Sequence, residues 1–111
     1  MSRDSKVYLD DNLEAIQKIL EFSRGMSLET LQKDAKTLDA VIRNLEVIGE
    51  AVKHLPEDIR SKQPGIEWRK IAGLRDILIH EYFGINVPVV WDVVQHKLPS
   101  LEKAIQQLLS E

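Results

Sequence analysis

Cysteine is absent from the 111 residues. That excludes disulfides, thiolate zinc sites and cysteine nucleophiles. No apolar run approaches the ~18–20 residues that a membrane-spanning helix needs. The opening MSRDSKVYLDD has no hydrophobic segment of the signal-peptide kind. The expected location is therefore the cytoplasm, with no membrane partner. Aromatic residues make up only 5%, and there are five glycines and four prolines, most of them where helices would begin or end. Positive charge is also in short supply: 15 Lys and Arg stand against 18 Asp and Glu, for a net charge of −3. A protein that grips long nucleic acid through its phosphates is usually basic. Any nucleic-acid role must then rest on a local pocket.

What is present is a balance of 43% hydrophobic and 30% charged residues. It suits one globular domain over 1–111, without repeats, low-complexity tracts or linkers. Apolar spacing is helical throughout. A first helix is expected from about Val7 to Arg24, with Leu9, Leu13, Ile16 and Leu20 on one face and Gly25 ending it. Ser27 suits an N-cap. The stretch from about 28 to 55 places Leu31, Ala35, Leu38, Ile42, Leu45, Gly49 and Val52 at three- and four-residue steps, with a break expected near Asp34. Gly49 within that stripe costs helix stability, ~1 kcal/mol relative to alanine, and suggests close approach of another helix.

Pro56 opens a short helix through Arg60, and Pro64-Gly65 is a break. A further helix is expected over 66–83, capped by Gly84. The last begins at Asn86 and Pro88 and carries Val90, Val94, Leu98, Leu101, Ile105 and Leu108. Pro99 should kink or split it. The predicted fold class is all-α: an up-and-down bundle of four main helices plus one short one.

The chemistry concentrates in LRDILIHEYFG, residues 74–84. At about 100° per residue, Trp68, Ile71, Leu78, Ile79 and Tyr82 share one side of the helix, with Arg75 in their midst. A guanidinium in an apolar stripe must be paired or face a cleft. It is either a structural partner of Glu46 or Glu50, or it waits for an anion. On the other side lie Ile66, Gly73, Ile77 and His80, flanked by Arg69 and Asp76. Apolar residues on both sides argue for burial on both sides. A second subunit is the natural cover, giving a two-fold homodimer with this helix near the axis.

His80 stands in the last turn, where unpaired carbonyls favour a protonated imidazole. Asp76, one turn earlier, can hold the ring. Such a histidine can exchange protons near neutral pH, or simply be a helix-terminal residue paired with Asp76. Arg75 and His80 project about 140° apart on an ideal helix. A partner helix across the axis would let two sets share a cleft. Elsewhere, His54 and His96 look isolated, Asp92 and His96 read as a surface pair, and Glu29, Asp34 and Asp39 read as a solvated face. No metal set is visible.

The pattern R75-D-I-L-I-H80-E-Y82 resembles that of HepT-like proteins within the HEPN superfamily. The flanks agree: DAVIRNLEVIGEAVKHLP (39–56), WRKIAGLRDILIHEYFGI (68–85) and VWDVVQHKLPSLEKAI (90–105). The resemblance runs over nearly the whole chain from about residue 6. It implies a homodimeric, metal-independent endoribonuclease toxin of a toxin–antitoxin pair, without a cofactor, whose site lies at the dimer interface. Arg75 would hold the scissile phosphate and His80 would move protons, while Asp76 and Glu50 would support them. The implied partner is a minimal nucleotidyltransferase antitoxin that transfers AMP to Tyr82. On the residues alone, Tyr82 reads as a core aromatic with a bonded hydroxyl. The competing expectation is a non-catalytic helical dimer that scaffolds the nucleotidyltransferase.

Overall fold

A computed structural model describes residues 1–74, 76, 78 and 86–111. Among these the only regular structure is helical. The first helix, α1 (Arg3–Phe22), starts earlier than expected because Ser2 caps it, its side chain accepting from the Ser5 N–H. Gly25 supplies the turn that follows, with φ 76, a conformation costly for any residue with a Cβ. Ser27 then caps α2 (Leu28–Lys33) in a reciprocal box with Thr30.

The expected break falls at Asp34, which ends α2 and caps α3 (Ala35–Lys53). Its Oδ1 accepts from the Thr37 N–H at 3.1 Å and its Oδ2 from the Thr37 hydroxyl at 2.8 Å. These two bonds, the backbone one foremost, hold the carboxyl below its usual range. Asp34 thus acts as the N-cap of α3. A short α4 (Glu57–Arg60) follows Pro56.

The apolar stripes meet in one core. Leu9, Ile16 and Ile19 of α1 join Val41, Leu45 and Ile48 of α3 and Leu101, Ile105 and Leu108 of the last helix, all fully buried. The α1 stripe is rotated from the expected one: Leu13 and Leu20 are only half-buried, and Asn12 takes a core position. Ala35 is exposed and Leu38 half-buried, so the α3 core face is built instead around Val41, Ile42, Leu45, Ile48 and Val52.

Asn86 caps α6 (Val87–Asp92), its side chain accepting from the Val89 N–H, with Pro88 in the first turn. The chain then widens into a π-helical turn, Val93–Lys97, before α7 (Leu98–Leu109). The Leu98 N–H reaches back five residues to the Val93 carbonyl. Pro99 explains this. It has no N–H to give the preceding turn, and its ring would crowd the carbonyl four residues back. The expected disruption occurs just ahead of the proline, and Val90, Val94, Leu98, Leu101, Ile105 and Leu108 remain buried through it.

Candidate active site

The segment that carries the motif begins at α5 (Trp68–Ala72), which packs against α3. Its start is fixed by Trp68. The ring is buried, and its indole N–H donates to the carbonyls of Arg60 and Gln63, each at 3.0 Å. Those two bonds tie the end of α4 to the start of α5, satisfying carbonyls that a helix end leaves open. The spacing predicts one helix over about 66–83. Instead α5 begins two residues later and closes in a turn at Gly73, with helical conformation again at Leu74, Asp76 and Leu78.

The expected sidedness holds for the described positions. Trp68, Ile71 and Leu78 are buried, as is Leu74. Ile66 and Gly73 on the other side are half-buried, while Arg69 and Asp76 are exposed. Arg75, Ile77, Ile79, His80, Tyr82 and the Gly84 cap lie outside the described residues.

Two polar clusters stand out among the described residues, one around α5 and one on α3. Glu67, just before α5, accepts from Lys70 at 2.8 Å and from Lys97 of the π-helical turn at 3.2 Å. Lys70 is the larger influence, Lys97 the second, and together they hold the Glu67 carboxyl below its ordinary range. Lys70 is raised in turn by Glu67. The result is a clamp between α5 and the segment leading into α7. The second cluster is on α3. Glu50 is exposed and sits 3.5 Å from His54 and 4.0 Å from Lys53. His54 in turn stacks on Tyr8 of α1, with ring centroids 4.7 Å apart and planes 10° from parallel.

His54 looked isolated in the sequence. The Glu50/His54 spacing of four was the available signal; Tyr8, 46 positions away, gave none. His96 does form the expected surface pair, its Nδ1 2.8 Å from Asp92 Oδ1. Among the described residues, no group of three or more acidic or histidine side chains is gathered as a metal site. None of their helices is long and apolar enough to cross a membrane.

The family model described as "Ribonuclease HepT-like" matches residues 12–108, which include the 75–82 motif. The chain belongs to this HepT-like family. Three relatives match over 90% or more of their own lengths. "Probable ribonuclease HepT" of Thermococcus cleftensis is 47% identical over 108 residues, 97% of this chain and 98% of the relative. "Putative RNase MJ0127" of Methanocaldococcus jannaschii is 47% identical over 109 residues, 98% of this chain and 90% of the relative. "Putative RNase TTE0752" of Caldanaerobacter subterraneus is 41% identical over 104 residues, 94% and 93% of the two chains. No solved structure matches. Arg75, His80 and Tyr82, to which the resemblance assigns roles, fall within the matched range.

Proposed function

We propose that the protein is the RNA-cleaving toxin of a toxin–antitoxin pair, acting as a metal-independent endoribonuclease. The reading is carried by membership of the HepT-like family together with the intact Arg75, His80 and Tyr82 pattern. The ribose 2′-oxygen attacks the adjacent phosphorus as its proton passes to an imidazole. The P–O5′ bond breaks, and the departing 5′-oxygen takes up a proton. The products are a 2′,3′-cyclic phosphate and a 5′-hydroxyl. His80 serves the proton transfers, and Arg75 stabilises the charge that gathers on the phosphoryl oxygens. Dependence on the 2′-hydroxyl makes RNA the substrate and DNA not.

The active form in this reading is a homodimer, with one Arg75/His80 set from each protomer at a shared cleft. A minimal nucleotidyltransferase antitoxin silences it by moving AMP from ATP onto the Tyr82 hydroxyl, with release of pyrophosphate. Tyr82 is seven residues from Arg75, the spacing at which an ideal helix returns to the same face. A phosphate-linked adenosine there would fill the cleft and occupy the cationic group. Asp76 and Glu50 are assigned supporting roles.

The test is cleavage of a mixed RNA pool by the wild type, Arg75→Ala and His80→Ala, each in the presence of EDTA. Wild-type cleavage with cyclic-phosphate ends is expected, with either variant slower by about 10²–10⁴-fold. Equal cleavage by all three would remove these residues from the chemistry. Absence of cleavage by unmodified wild type would favour the scaffold reading, to which the acidic net charge of −3 lends support.

A further inference from the structure

Along α3, Arg43, Glu46, Val47, Glu50, Ala51 and His54 fall at helical spacing on one side. With Tyr8 and Asp11 of α1 they line an open cleft of about 410 Å³. Its chemistry is mixed. The Tyr8–His54 stack supplies flat aromatic surface, and His54 is about half exposed, at 49% of its side chain. Val47 and Ala51 supply apolar surface between the polar groups. Asp11, Glu46 and Glu50 bring three carboxylates to it, and Arg43 forms no ion pair with a described residue. Glu50 is already shared between His54 and Lys53. Glu46, half-buried one turn away, is the acceptor best placed to serve a guest.

We propose that this cleft binds one base of the RNA substrate, and that the base is guanine. The inference rests on the ribonuclease reading for its substrate. Single-stranded RNA bases are recognised by stacking on aromatic rings and by bonds to their Watson–Crick edges. A carboxylate can only accept. The guanine edge offers two adjacent donors, N1–H and the N2 amino group, which fit the two oxygens of one carboxylate. Adenine and cytosine each offer a single amino group beside an acceptor, and uracil places its one N–H between two carbonyls. Glu46 therefore reads the edge, the exposed face of His54 carries the ring with Tyr8 behind it, and Arg43 meets the phosphate. A cleft with three carboxylates repels a bare phosphate run, so it takes a base edge in preference to backbone.

The experiment titrates the full chain with 5′-GMP, 5′-IMP and 5′-AMP, following backbone amide resonances. GMP should move signals of Tyr8, Glu46 and His54 saturably. IMP, which lacks the 2-amino group, should bind about tenfold more weakly, and AMP weaker still. Glu46→Gln should abolish the preference for GMP over AMP, while His54→Ala should weaken all three nucleotides alike. Equal shifts with every nucleotide, or shifts confined to the Lys70/Lys97 side, would overturn the proposal. So would a cleft that responds to arginine amide and not to GMP, which would make it a pocket for a partner protein's cation. GMP binding without RNA cleavage would defeat the ribonuclease reading and leave the guanine site standing. Cleavage indifferent to guanine would do the reverse.

Discussion

Asn12 is fully buried on α1, surrounded in sequence by the core residues Leu9, Ala15, Ile16 and Ile19. Its amide nitrogen donates to the Tyr8 carbonyl at 3.3 Å, and its Oδ1 has no hydrogen-bond partner among the described residues. A buried acceptor without a donor loses its water and gains nothing in return. Asn12→Leu, close in volume, should therefore raise stability by about 1 kcal/mol, read as a higher urea midpoint at unchanged slope. Asn12→Asp should lower it, because a carboxylate there would be a buried unpaired charge. A leucine variant less stable than wild type would show that Oδ1 has a partner in the working protein. Sequence spacing did not single out Asn12. The stripe drawn through Leu13 and Leu20 lies one position away, and a one-residue rotation moves a polar side chain into the core.

The elements were more legible than the joints between them. Ser27, Asp34, Asn86 and Gly25 mark boundaries by local chemistry, and each acts within three or four residues of itself. The turn at Gly73 and the position of the π-helical turn ahead of Pro99 depend on how the chain packs, and spacing alone could not place them. Arg75, His80 and Tyr82 were legible only as a pattern, and their positions lie outside the described residues. The Glu67 clamp was invisible because Lys97 is 30 positions away. It carries a pH dependence. The folded pKa of Glu67 lies below its ordinary 4.5, so its contribution is fully present above that value and fades as pH falls through the lower folded one. Wild type should exceed Glu67→Gln in stability by a small margin at about pH 6, and the margin should close toward about pH 3. Paired urea titrations would show it. A margin that persisted in acid would mean that Glu67 acts through packing and not through its charge.

At the scale of the whole molecule, the question is what covers the side of α5 opposite the core. Gly73 is half-buried there, with φ −85 and ψ 0, a conformation alanine adopts without strain. A Cβ at Gly73 would meet the Arg69 carbonyl at 3.5 Å and the Lys70 carbonyl at 3.6 Å, both ordinary contacts. Nothing among the described residues of the protomer therefore demands glycine. Gly73→Ala should stabilise the isolated fold by about 0.4–1 kcal/mol, mainly by restricting the unfolded chain. In the proposed homodimer the same methyl would stand between two copies of this segment and hold them apart. The two effects have opposite signs and separate readouts. Thermal unfolding at high dilution should shift upward, while the dimer dissociation constant from sedimentation should rise about tenfold or more, the equivalent of ~1.4 kcal/mol. A variant that gains stability and associates as before would place the two-fold axis elsewhere. A wild type that stays monomeric at every concentration would remove the second copy, and with it the shared cleft on which the proposed chemistry depends.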